Sequence, residues 1–158
     1  RGCAAALHQP KNVDLFTRHH IFTEPEMHSR YEILLENYVK VLNIESLTML
    51  DMARKKIVPA VVSYIKQLTE TAAAKMTISS SLPCETERSL IHRLSSLLDA
   101  VSRQAEALEN ALAQAEYYRD KVIPTMTALR SAADQLEPLV DKALWPFPTY
   151  SDLLFSVN

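Results

Sequence analysis

Apolar residues recur in this chain at helical spacing, most regularly in its last long segment. Steps of seven give Leu94, Val101, Leu108, Ala115, Val122, Leu129 and Leu136, and a second series gives Leu98, Ala105, Leu112, Arg119, Met126, Ala133 and Val140. Thirteen of these fourteen positions are apolar; Arg119 is the exception, and Tyr118 beside it can fill that place. A heptad-spaced seam of this kind marks a bundle or coiled coil, and its alanines let a partner helix come close. Pro124 lies off the seam, so the spacing predicts a bent but continuing helix there.

Upstream, Tyr31, Leu34, Leu35, Tyr38, Val41 and Leu42 recur at three and four, and the pattern stays helical from Pro25 to about Met76. Thr23-Glu24-Pro25-Glu26 is its start signal: a capping residue, a proline near the first helical position, and acids at the positive end of the dipole. Pro59 interrupts this run and predicts a kink or break near residues 55–58, after which Ile57, Val61, Tyr64 and Leu68 resume the stripe. Thr77 to Pro83, with three consecutive serines, reads as the one clear loop. Before Pro25, Pro10 separates an Ala-rich start from a short helix, Lys11 to Phe16, capped by Asn12. The fold class is therefore all-α: an antiparallel helical bundle or long helical hairpin with Pro-bent helices. Its divisions are a connecting segment over 1–23, a helical domain over 24–144 and an extended tail over 145–158.

Two stretches are more apolar than such a domain can absorb. Between Val39 and Ala53 the apolar residues cover almost the whole helix circumference, which marks a helix buried on several sides. Its outer face is expected to meet something outside this chain, through Ile44, Leu47, Met49, Leu50 and Met52. The tail carries Trp145, Phe147 and Tyr150 between prolines, and is expected to dock on this domain or on a neighbour.

Composition narrows the chemistry. The chain has one glycine, Gly2, where average usage gives about eleven. A P-loop, a dinucleotide fingerprint and a G-x-S-x-G elbow all need glycines where backbone approaches ligand, so all three are excluded. Seventeen basic and nineteen acidic residues give a net charge of −2, with no basic excess for nucleic acid. No apolar run is long enough to span a membrane. Cys3 and Cys84 fit no C-x-x-C spacing and read as reduced thiols of a cytoplasmic protein. The first residue is Arg1, which reads as a piece of a longer polypeptide.

Candidate site residues are few. His19 and His20 are adjacent and point about 100° apart on a helix, too far to share an ion. Glu24 and His28, at i and i+4, could be a ligand pair or a solvated helix start. His92 stands alone. Glu45 and Asp51, with Lys40, sit in the apolar stretch, where buried carboxylates could be catalytic or could make cross-chain hydrogen bonds. With no nucleophile, histidine base or glycine loop nearby, the structural reading is preferred. No catalytic, cofactor-binding or metal-binding residue is assigned.

Several runs resemble the C-terminal region of type III glutamine synthetases. They are Lys11-Asn12-Val13-Asp14-Leu15-Phe16, Ile21-Phe22-Thr23-Glu24, Ser29 to Tyr38, Asn43-Ile44-Glu45, Thr48 to Ala53, Ile57-Val58-Pro59-Ala60, Arg119 to Pro124, and Trp145-Pro146-Phe147-Pro148-Thr149-Tyr150 with Asp152 to Phe155. The resemblance runs from about residue 11 to the end. It implies a parent enzyme, a glutamate–ammonia ligase that uses ATP and Mg²⁺ or Mn²⁺, works in the cytoplasm and assembles as a homo-oligomer, a dodecamer. It also implies that the catalytic motifs lie elsewhere in that parent, so the fragment alone is expected to be inactive and to serve packing and assembly. The other reading of the residues is a free-standing helical adaptor that binds partner helices through the seam.

Overall fold

The computed structural model describes residues 9–113, 121–148, 152 and 154, and among these none is in a strand. Among the described residues the α-helices are, in order, α1 (Pro10–Arg18), α2 (Glu24–Met52), α3 (Val58–Ile78), α4 (Glu85–Ala113) and α5 (Ile123–Leu136), with a π-helical segment, Ala53–Ile57, between α2 and α3. By compactness the chain divides into two units, Arg1–Glu45 and Ser46–Asn158, a boundary that falls within α2.

In the first unit α1 begins earlier than its sequence suggests. Gln9 is the N-cap and Pro10 the first helical residue, where its missing N–H costs nothing. Asn12 is therefore inside the helix and is not its cap. Just beyond the C-cap, His19, the chain is turned by His20, held at φ 53°. The Ile21 amide donates to the Phe16 carbonyl at 3.0 Å and the His20 amide to the Thr17 carbonyl at 3.1 Å. This is the two-bond closure usually made with glycine at the left-handed position. α2 starts as its sequence indicates: the Thr23 amide and hydroxyl both donate to one Glu26 carboxylate oxygen, at 2.7 and 2.8 Å. These bonds, the backbone one foremost, hold the Glu26 carboxyl below the usual range.

In the second unit the heptad seam is the core. Leu94, Val101, Ala105, Leu108, Val122, Leu129, Leu136 and Val140 are buried together, and Leu98, Leu112, Met126 and Ala133 pack on them half-buried. Ala115 and Arg119 lie outside the described residues. Leu50, Ala53, Ile57 and Val61, from the end of α2 through the start of α3, close the same core. α3 packs on α4 across a turn at 79–84, where Thr77 to Pro83 was expected. Helical backbone does continue through Pro124, from Lys121 to Leu136, but the seam is not one unbroken helix from α4 into α5. α4 and α5 lie side by side and make the most extensive helix contact of the unit, which two stretches of one straight helix cannot do. A heptad pattern has the same period whether its two halves meet a foreign helix or each other, so periodicity alone could not show the reversal.

Pro59 does not end the helical backbone. The residues that flank the π segment, Met52 and Val58, both keep right-handed helical angles. A proline lacks the N–H for its helical bond, and its ring collides with the carbonyl four residues earlier, here that of Lys55. That carbonyl lies inside the widened π turn, which gives the ring room. Lys121 and Val122, just ahead of Pro124, have π-helical backbone as well. Ser46, wholly buried, donates its hydroxyl to the Met126 sulfur at 3.1 Å, so its polar atom is not left unsatisfied.

Candidate functional site

The candidate site is apolar, and α2 supplies most of it. In the first unit, Phe22 fixes the approach to α2: its ring lies 5.9 Å from that of Phe16, and the Arg30 guanidinium sits 4.3 Å above its centroid. Beyond it, the stripe that the sequence would turn inward is largely outside. Leu42 is buried and Tyr31 half-buried, while Leu34, Leu35, Tyr38 and Val41 are exposed, as is Ile33. Ile33 at 54%, Val41 at 52% and Ile44 at 63% exposure are large apolar side chains open to water on one helix. Burying each would contribute roughly 1.5–3 kcal/mol.

In the second unit the expected interface residues separate. Leu50 turns inward and belongs to the core, so it is no part of an outer surface. Leu47 and Met52 are exposed, and Met49 is half-buried against the core. Trp145 and Phe147 pack half-buried on the same core, ring centroids 6.2 Å apart and edge to face. They dock on their own domain, as one of the two expectations had it. Tyr150 lies outside the described residues. Between these elements runs a groove with Met49, Met52 and Ala53 on one side, Leu129, Ala133 and Glu137 on another, and Trp145, Phe147 and Pro148 as its wall.

The polar candidates of the apolar stretch are not buried. Glu45 and Asp51 are exposed; Asp51 pairs with Lys55, and Lys40 pairs with Glu36 at 2.7 Å. Glu24 and His28 form no ligand pair: His28 meets Glu32 instead, at 3.3 Å. A carboxylate on a long helix finds a lysine one turn away and stays solvated, which needs no burial. His92 is exposed. Among the described residues no three histidine, cysteine or carboxylate side chains converge as metal ligands would. No described helix is long and apolar enough to cross a membrane.

Comparison with known proteins gives the chain's family context. Residues 3–76 match the glutamine synthetase C-terminal domain, a match that begins ahead of the runs from residue 11 onward noted above. The chain is 39% identical to a glutamine synthetase of Butyrivibrio fibrisolvens over 94% of its own length and 23% of that protein. It is 29% identical to a type-3 glutamine synthetase of Dictyostelium discoideum, over 94% of this chain and 22% of that protein. With a glutamine synthetase of Bacteroides fragilis the identity is 33%, over 86% of this chain and 21% of that protein. The chain thus spans less than a quarter of the length of these relatives.

Proposed function

We propose that this chain, which belongs to the glutamine synthetase family and carries its C-terminal domain, serves packing and assembly in a type-3 synthetase, an ATP-dependent glutamate–ammonia ligase working as a homo-oligomer. The observation that carries the reading is the exposed apolar face of α2, centred on Ile33, Val41 and Ile44. Monomeric soluble proteins rarely leave so many large apolar side chains together in water, and such faces mark interaction sites. In the assembled enzyme the remainder of the synthetase covers this face.

The ligase chemistry belongs outside these residues. On this reading the groups that hold ATP and a divalent metal belong to the rest of the synthetase. No step of the reaction is assigned to this chain.

The test is Ile44→Asp in the full-length enzyme, followed by size-exclusion chromatography with light scattering and a thermal melt. A charge in a dry interface costs several kcal/mol, so a smaller particle or a lower melting temperature is expected. Unchanged mass and melting temperature would remove the packing role from this face.

A further inference from the structure

We infer that the groove between the end of α2, α5 and the Trp145–Phe147 pair is a docking slot for one bulky apolar side chain flanked by a lysine or arginine. The segment carrying it belongs to the synthetase chain outside these 158 residues.

The groove has the parts such a slot needs. Its lining includes two thioethers, Met49 and Met52, which adapt to irregular shapes and make favourable contacts with aromatic rings. Its wall is the edge-to-face pair of Trp145 and Phe147. Prolines on both sides of Phe147 stiffen that wall, so little entropy remains to be lost on docking. Aromatic residues around a half-filled apolar slot are what anchors at protein interfaces insert into.

The rim sets the charge of the occupant. Asp134 and Glu137 stand on the α5 side against one cation, Arg130. Arg130 reaches Asp134 only at 3.7 Å, and Glu137 forms no ion pair among the described residues. The edge is therefore net negative, and a basic residue beside the apolar anchor meets it with complementary charge. The curated relatives place the source: this chain accounts for 23% of the Butyrivibrio enzyme, so most of such a polypeptide lies outside it.

This inference rests on the reading that the domain works within a synthetase, and the experiment separates the two. In the full-length enzyme, a benzophenone amino acid replaces Phe147, and irradiation is followed by peptide mapping. The expected adduct lies on a peptide outside residues 1–158 with a large apolar residue next to Lys or Arg. Its yield should fall by at least about fivefold in Glu137→Lys and less in Glu137→Gln, both with unchanged melting temperature. Adducts confined to the Met49–Met52 region, an attached peptide without a basic residue, or a yield indifferent to Glu137→Lys would each overturn the slot. If Ile44→Asp leaves assembly intact while the adduct persists, the packing role of the α2 face fails and the slot stands. If Ile44→Asp disrupts assembly and no outside adduct forms, the slot alone fails.

Discussion

Arg54 and Glu109 stand 55 positions apart and meet as a two-pronged pair, Nη1 donating to Oε1 at 3.0 Å and Nη2 to Oε2. Arg54 belongs to the π segment and Glu109 to α4, so the pair ties the widened turn to the neighbouring helix. The hydrogen bonds from the guanidinium hold the Glu109 carboxyl below its usual range. Both side chains are largely solvated, so the pair orients the turn more than it stabilises the fold. Arg54→Lys keeps the charge and loses the fork. The expected result is a small drop in melting temperature at low salt. At about 1 M salt, where the screening length is only about 3 Å, wild type and variant should coincide. Paired thermal melts at the two salt concentrations check this.

Lys75 and Glu87 make the corresponding link across the α3–α4 hairpin, and Glu87 is only 12% exposed. The hydrogen bond between them lowers the carboxyl below its usual value and raises the ammonium above its own. A depressed carboxyl contributes stability that is present above the unfolded value, about 4.3, and lost as pH falls through the lower folded value. A raised ammonium contributes stability that is present below about 10.4 and lost as pH rises through the higher folded value. The gap in melting temperature between wild type and Glu87→Gln should therefore be constant through neutral pH and close as the solution is acidified below pH of about 4. A gap that widens on acidification would contradict the pairing.

Leu108 is fully buried in the seam, among residues of α4, α5 and the π segment. Leu108→Ala removes apolar volume from a site whose neighbours are held by three helices, and should cost about 2–5 kcal/mol. The exposed Leu47→Ala in the same protein should change stability by less than about 0.5 kcal/mol. Urea unfolding of the two variants separates the core from the outer face.

His20 closes α1 in a left-handed conformation that costs a non-glycine residue roughly 1–2 kcal/mol. His20→Gly should relieve about 1 kcal/mol of that, and His20→Val should add to it. The Ile21 amide, bonded to the Phe16 carbonyl, reports the cap directly. Its hydrogen exchange should slow in His20→Gly and quicken in His20→Val.

The sequence by itself determined the helical class, the start of α2, the turn near residue 80 and the identity of the core. Each of these follows from local rules. The Glu26 carboxylate accepts from the Thr23 amide and hydroxyl, Pro59 disturbs its own preceding turn, and a seven-residue repeat keeps one face apolar wherever that face is turned. The family was legible too, because its runs are contiguous. What only the tertiary structure decided is which apolar residues remain outside. Leu34, Val41 and Leu50 are all apolar residues of α2, yet of the three only Leu50 meets a core. Periodicity fixes which residues share a face of one helix. Leu50 is covered because α4 and α5 pack against the end of α2, and that is set by contacts between residues far apart in the chain. The same holds for the groove, since Met52, Glu137 and Trp145 are brought together by the path of the whole second unit and by no local signal.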